Sequence, residues 1–195
     1  MLARDYWKAV TVDRSDLLDR FLAILRSHGT RFCVIGGQGV NAYAEPVVSL
    51  DLDLVLAAAD VDGIRTALDE QFHLEWFPHS LNLSAPGSDL RVQIQLDPRY
   101  QPFIQRAAER DILGKRLPAA AIDDVLQGKI WAALDPERRA SKRQKDLADI
   151  ARPQVEVALT RRGVGLDPDG LWEDTLATRC PLRQLGSSGG RTCAT

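Results

Sequence analysis

Cysteine is scarce in this chain: only Cys33, Cys180 and Cys193 occur among 195 residues. Their spacing builds neither a metal knuckle nor a disulfide framework. Cys33 lies in an apolar run and reads as a buried thiol, which points to a reducing, cytoplasmic setting. Histidine is as sparse. His28, His73 and His79 show no zinc spacing and no Ser/His/Asp relay. An excess of one charge sign is missing too: 25 basic residues stand against 27 acidic ones, for a net charge of -2. That balance argues against wrapping nucleic acid by bulk charge, and leaves room for a local basic patch. No apolar run is long enough to span a membrane. The opening residues, Met1 to Trp7, lack the apolar stretch of a signal peptide, which argues against secretion.

Hydrophobic residues make up 45% of the chain, enough for the core of one compact domain. Leu17, Leu18, Phe21, Leu22 and Leu25 recur at helical spacing, with Ser15 or Asp13 as cap and Gly29 as stop. Phe32 to Ile35 reads as a buried strand running into the turn Gly36-Gly37. Gly39 to Ala44 has room only for a short helix, because Glu45-Pro46 ends it. A strand is expected over Val47 to Leu56 and a helix over Val61 to Phe72. Strands follow at His73 to Phe77, Leu81 to Ala85 and Leu90 to Leu96, the last two joined by the turn Pro86-Gly87-Ser88-Asp89. Pro102 to Arg110 reads as a helix and Ile112 to Leu117 as a short strand. Helices over Ala119 to Leu134, Ser141 to Ala151 and Val155 to Arg161 complete the pattern. In the helix from Ala119, Ile122, Val125, Leu126, Ile130 and Leu134 are expected to face inward. Trp76, Phe77 and Trp131 are expected in the core. The order predicts an α+β fold, a mixed β-sheet flanked by helices with a C-terminal helical part from about residue 119. The domain is expected over 1–162, with 163–195 as a poorly structured tail.

Within this frame one arrangement carries chemistry. A glycine pair after a strand lets the backbone turn sharply and approach a ligand, and N–H groups opening the next helix can hold phosphate. Asp51 and Asp53 alternate on a strand, so both carboxylates point to one side. Two carboxylates beside a phosphate-holding turn make an oxygen-rich site for Mg²⁺, which can bridge triphosphate oxygens and offset their charge. The bland alternative is a solvated edge strand after an ordinary turn. The apolar residues Val47, Val48, Leu50, Leu52, Leu54 and Leu56 around the pair argue for burial, which charges do not tolerate without partners. Gly37-Gln38-Gly39-Val40-Asn41-Ala42 also fits the dinucleotide pattern G-x-G-x-x-A. Pro46 cuts the following helix too short for the crossover that such a fold requires.

From Ile35-Gly36-Gly37 through Asp51-Leu52-Asp53 the segment resembles the signature of the nucleotidyltransferase superfamily, and within it the small bacterial AbiEii-type proteins of toxin–antitoxin systems. Lys129, then Arg138 and Arg139, then Lys145-Asp146-Leu147-Ala148-Asp149 extend the likeness, which covers roughly residues 15 to 160. The resemblance implies that Gly36 and Gly37 hold nucleotide phosphates and Asp51 and Asp53 bind Mg²⁺. It implies that Lys129 touches the triphosphate, as a flexible point charge, and that Asp146 completes the site. Lys145 is placed to steer Asp146 or meet phosphate itself, and Asp149 is expected to pair with Lys145 on the helix surface. The implied activity is Mg²⁺-dependent transfer of a nucleoside monophosphate from an NTP to a hydroxyl on RNA, protein or a small molecule, possible partners including a cognate antitoxin. The chain departs from the pattern on Leu90 to Leu96, where Gln93 and Gln95 stand in place of a third carboxylate. Either Asp146 or Asp97 replaces that acid, or the chain is a non-catalytic nucleotide- or partner-binding module. The basic run Arg138, Arg139, Lys142, Arg143 and Lys145 reads as a contact for a phosphate ligand or as a solvated face.

Overall fold

The computed structural model describes residues 15–152, apart from Glu45. Helix α1 (Leu17–Ser27) leads into strand β1 (Phe32–Ile35) and the six-residue helix α2 (Gly36–Asn41). Strand β2 (Asp51–Leu56), helix α3 (Ala58–Asp69) and strands β3 (His73–Phe77), β4 (Ser80–Ser84) and β5 (Arg91–Gln95) follow. A 3₁₀ turn (Pro98–Tyr100) and helix α4 (Gln101–Gln105) precede the hairpin β6 (Ala108–Ile112) and β7 (Lys115–Ala119). Helices α5 (Ile122–Leu134) and α6 (Ala140–Ile150) close the described chain. The strands form one seven-stranded mixed sheet in the order β3-β4-β5-β2-β1-β7-β6, an α+β architecture.

Strict alternation divides this sheet into two faces of opposite character. Val34 of β1, Leu54 of β2, Ile94 of β5 and Leu81 of β4 lie side by side in register. Leu52, Val92 and Leu83 form the next row. All are buried and join α1 and α3 in one core with Phe21, Leu22, Ile64 and Leu68. Residues one step along each strand point the other way. There, Ile35, Asp53, Gln93, Asn82 and Glu75 form a row from β1 to β3. The face that carries Asp53 is the one that α2 and α5 approach, and it holds the chemistry.

Several boundaries differ from expectation for local reasons. Asp16, with φ of 50°, is the N-cap of α1, and its side chain makes no capping bond; Asp13 lies outside the described residues. Residues 46–50 form a loop rather than strand, and Val47, Val48 and Leu50 are exposed, because the segment is held by side chains instead of by a neighbouring strand. The helix expected through Arg110 stops at Gln105, and residues 108–119 form a hairpin turning at Leu113-Gly114, both at positive φ. Leu134 is exposed, and Asp124 and Lys129 are buried on α5 instead. Trp76 and Phe77 are exposed on the edge strand β3, with the Arg65 guanidinium 4.7 Å over the Trp76 ring. Trp131 does pack inward, stacked on Phe103 and edge-on to Tyr100. The helix expected over 155–161 and the boundary at 163 lie outside the described residues.

Leu54 is fully buried at the centre of the apolar rows, with neighbours on both strands. Leu54→Ala is expected to cost about 2–5 kcal/mol through lost burial and a residual cavity. Urea unfolding followed by far-UV circular dichroism measures it.

Candidate active site

The antiparallel register of β1 and β2 sets Ile35 opposite Asp53, so the chain leaving β1 must turn against that carboxylate. Gly36 makes the turn at φ +61°, and a Cβ there would lie 1.9 Å from Asp53 Oδ2 and 2.7 Å from its Cβ. The glycine requirement at 36 therefore comes from both the left-handed backbone and the acid beside it. Gly37 is different. A Cβ there would meet Ser49 at 3.6 Å from Oγ and 3.9 Å from Cβ, and Lys145 Nζ at 4.0 Å, all ordinary contacts. Gly36-Gly37 is thus already the first turn of α2 rather than a loop before it.

Helix α2 also secures the segment that delivers Asp51. Asn41 Nδ2 donates to the Val47 carbonyl at 2.8 Å, and the Val47 N–H donates to Asn41 Oδ1 at 3.0 Å. The buried Gln38 donates from Nε2 to the Ser49 carbonyl at 3.1 Å. Ser49 Oγ in turn donates to the Asp51 carbonyl at 3.3 Å. These bonds do for the loop what a neighbouring strand does elsewhere, and they hold Asp51 and Asp53 on the polar face.

Cations reach this face from α5 and α6. Lys142 Nζ lies 3.3 Å from Asp51 Oδ2, and Lys145 Nζ stands over Gly37. Lys129 is buried, 2.8 Å from Asp146 Oδ1 and 2.6 Å from Asp149 Oδ2. Burial disfavours its ammonium, but the charges and hydrogen bonds of Asp149 and Asp146 outweigh that and hold its pKa above the ordinary lysine value. Arg138 donates from Nε and Nη2 to Asp146 Oδ2 at 2.9 and 2.7 Å. Arg152 links Asp149, at 3.4 Å, to Asn41 Oδ1, at 3.0 Å. One polar network thus runs from α5 through α6 to the loop before Asp51.

Asp53 sits in the middle of this charge. Burial raises its pKa above the usual carboxylate value, the Lys129 charge pulls it back down, and the neighbouring Asp51 pushes it up again. Its carboxylate opens on a small cavity of about 140 Å³ lined by Gly36, Gln93, Lys129, Arg138 and Asp146. Asp51 faces a wider cleft of about 610 Å³ lined by Glu75, Asn82, Arg91, Arg139 and Lys142. Gln93 and Arg138 line both spaces.

The structure places Gly36 against Asp53, Gly37 next along α2 beneath Lys145, and Asp51 two residues before Asp53 on the same side of β2, facing the adjoining cleft. Lys129 is buried between Asp146 and Asp149, Asp146 also accepts from Arg138, and the buried Asp149 pairs with Lys129 and Arg152 rather than with Lys145 on the helix surface. Gln93 occupies the position beside Asp53 where a third carboxylate is looked for. Gln95 is turned to the chain, its Oε1 accepting the Leu96 and Asp97 N–H groups. Asp97 caps the 3₁₀ turn, its hydrogen bonds and ion pair with Arg99 hold its pKa low, and it lines neither of the two spaces beside Asp51 and Asp53. Asn41 and Ser49 carry no motif in the sequence, and Lys142 stands out there only as one member of the basic run Arg138 to Lys145. For Lys142 the signal exists: with Asp146 and Asp149 it makes an i, i+4, i+7 stripe on α6. Among the described residues no group of three or more His, Cys, Asp or Glu side chains is placed to hold a metal. Two carboxylates suit a magnesium ion, which keeps waters and substrate phosphate oxygens as its other ligands. No helix among the described residues is long and apolar enough to cross a membrane.

Lys129→Met is expected to cost about 3–5 kcal/mol, because Asp146 and Asp149 stay buried with less compensating charge; chemical unfolding at neutral pH measures it. Asp53→Asn has the opposite sign. A carboxylate whose folded pKa is raised destabilises the fold once pH exceeds its unfolded value, since folding then holds a charge where burial disfavours it. Asp53→Asn is therefore expected to raise the urea midpoint at pH 7, with the gain fading as pH falls toward the ordinary carboxylate range. A midpoint lowered at pH 7 counts against the assignment.

No protein-family model matches the sequence, and neither does any curated protein. Solved structures do match. ANT(2'')-Ia in complex with adenylyl-2''-tobramycin superposes with a TM-score of 0.50 at 13% identity, covering 76% of this chain and 88% of that one. The lincosamide antibiotic adenylyltransferase LnuA, lincomycin-bound, matches with a TM-score of 0.47 at 13% identity over 72% and 97% of the two chains. An antigenic nucleotidyltransferase-like protein from Paracoccidioides brasiliensis gives 0.47 at 16% identity over 78% and 88%. On the ANT(2'')-Ia superposition, this chain has the nucleotidyltransferase fold.

Proposed function

We propose that the chain is a nucleotidyltransferase that moves a nucleoside monophosphate from an NTP to an acceptor and releases pyrophosphate. The observation that carries this reading is the meeting of Asp51, Asp53 and the Gly36 turn beneath Lys142 and Lys145. Asp51 and Asp53 would hold Mg²⁺, which when bound neutralises triphosphate charge and polarises the α-phosphate. Lys142 and Lys145, one helical turn apart, would meet the triphosphate, Lys145 from its place over Gly37. Lys129 and Asp146, assigned to the site by resemblance, would act as positioning residues that anchor α6. The acceptor oxygen attacks the α-phosphorus, the bond to the bridging oxygen breaks, and pyrophosphate leaves with the electron pair.

Gln93 favours a second reading, a nucleotide-binding module without efficient transfer, because an amide beside Asp53 neither binds metal strongly nor accepts a proton. A transfer assay with each α-labelled NTP, Mg²⁺ and a panel of RNA, protein and small-molecule acceptors separates the two. Label moved by the wild type and lost in the Asp51→Ala, Asp53→Ala double variant is the expected result. Lys142→Ala is expected to raise KM for Mg-NTP about tenfold, the scale of one charge-assisted contact. Mg-NTP binding without label on any acceptor would support the binding module.

A further inference from the structure

We infer that Tyr100 is a specificity-determining residue whose hydroxyl holds a ribose hydroxyl of the nucleotide in the small cavity beside Asp53. This deepens the proposed function and rests on it. Tyr100 ends the 3₁₀ turn before α4 and is 8% exposed. Its ring is fixed edge-on to Phe103 and to Trp131, with centroids 5.3 Å away in each case. Gly128, inside α5, makes room for it: a Cβ there would lie 3.3 Å from the ring edge and 4.0 Å from the hydroxyl. Glycine is disfavoured inside a helix, and here it clears the space that the ring occupies. A buried tyrosine hydroxyl ordinarily has a partner. That of Tyr100 has no hydrogen bond among the described residues, yet it is not one of the sealed-off polar atoms. It therefore opens on the cavity that Tyr100 lines with Asp53, Gln93 and Gly128. Burial raises its pKa, so at neutral pH the group is an uncharged hydroxyl that can donate or accept.

The cavity suits an uncharged ring that carries hydroxyls. Apart from Asp53, every charged side chain on its walls is already paired: Lys129 and Arg138 with Asp146, and Asp124 with Arg106. No unpaired cation remains there, among the described residues, for the pyrophosphate end of the nucleotide. That end belongs with Lys142 and Lys145, on the side of Asp51 and Gly37. The group bonded to the α-phosphate opposite the pyrophosphate is the sugar. With the α-phosphate held at Asp51 and Asp53, the sugar would leave on the Asp53 side, where the cavity begins. A cavity of roughly 150 Å³ holds one six-membered ring, and about 140 Å³ is open here, with Phe103 and Val125 as apolar walls. The 2′- and 3′-hydroxyls of a ribose both donate and accept, as the Tyr100 hydroxyl does. A site built to bond a substrate hydroxyl rejects the analogue without it, because its own polar group is then left unpaired.

The test uses the whole chain with Mg²⁺ and α,β-methylene NTPs, which fill the nucleotide site without reacting, and measures their affinity by calorimetry. For the nucleotide bound most tightly, the 2′-deoxy and 3′-deoxy forms are compared with the ribo form. The wild type is expected to bind at least one deoxy form about five- to tenfold more weakly, the scale of one hydrogen bond. Tyr100→Phe is expected to bind the ribo form as weakly as that deoxy form, with its affinity for the deoxy form unchanged. Its thermal midpoint is expected to be no lower than that of the wild type, since the hydroxyl bonds to no described residue. Tyr43→Phe supplies the contrast. The Tyr43 hydroxyl donates to the Ala120 carbonyl at 2.9 Å, so its removal is expected to lower the midpoint and leave the ribose preference intact. A wild type indifferent to both deoxy forms, a Tyr100→Phe variant that keeps the wild-type preference, or one that loses affinity equally for all three forms overturns the inference. Failure of every NTP analogue to bind the wild type removes the proposed function along with it. Analogue binding without a ribose preference removes only the assignment to Tyr100.

Discussion

The ammonium of Lys129, buried between Asp146 and Asp149, is the interaction on which the geometry of the polar face depends. It joins α5 to α6 at a point where an uncompensated charge is costly, so the crossing of the two helices is held in one arrangement. That arrangement sets where the exposed side of α6 lies. Lys142 and Lys145, on the same helix, reach Asp51 and Gly37 only because the buried stripe Asp146–Asp149 is anchored below them. Through Asp149 and Arg152 the network continues to Asn41, whose amide grips the loop before Asp51. A buried ion network is weak evidence for stability, since its desolvation cost offsets its attraction. It is better suited to specifying position, and here each position leads to Asp51 or Asp53.

Strand β2 shows the competing demand. Leu52, Leu54 and Leu56 are fully buried in the core while Asp51 and Asp53, one residue out of phase, face the cations. A slip of one residue would exchange the two sets, placing carboxylates in the core, so the register is secured by the rows on both neighbouring strands. Asp53 is held at a cost: its surroundings favour the neutral acid, and Lys129 only partly offsets that. A buried carboxylate with a left-handed glycine fitted against it is a combination that stability alone does not favour.

Elements with strong periodicity were legible in the sequence. The stripe of α1, the apolar run of β1 and the alternation of β2, β4 and β5 each follow from burial on one face, and the Gly36–Asp53 pairing follows from a strand, a turn and a second strand. What escaped depends on partners distant in sequence. Residues 46–50 look like strand because Val47, Val48 and Leu50 are strand formers, but Asn41 and Gln38 satisfy the backbone that a strand would have paired. The hairpin at 108–119 hides behind residues that tolerate either state, and only Leu113-Gly114 marks its turn. Lys129 has an ambiguous local context, between Gly128 and Ile130, and its burial is decided by two acids on another helix. Asp149 has the converse history: local spacing pairs it with Lys145, yet the packing of α5 gives it Lys129.

Gln93 is where the sheet register and the charge of the polar face meet. Its backbone position is dictated by the sheet, since β5 must pair with β2 to complete the apolar rows, and the alternation then delivers its side chain beside Asp53. A carboxylate there would be a third negative charge next to an acid already disfavoured by burial and by Asp51. The amide removes that repulsion and keeps hydrogen-bonding capacity, at the loss of a base. Arg91 is carried to the cleft by the same β5 alternation as Gln93, so a single sheet register fixes both side chains on the polar face beside Asp51 and Asp53.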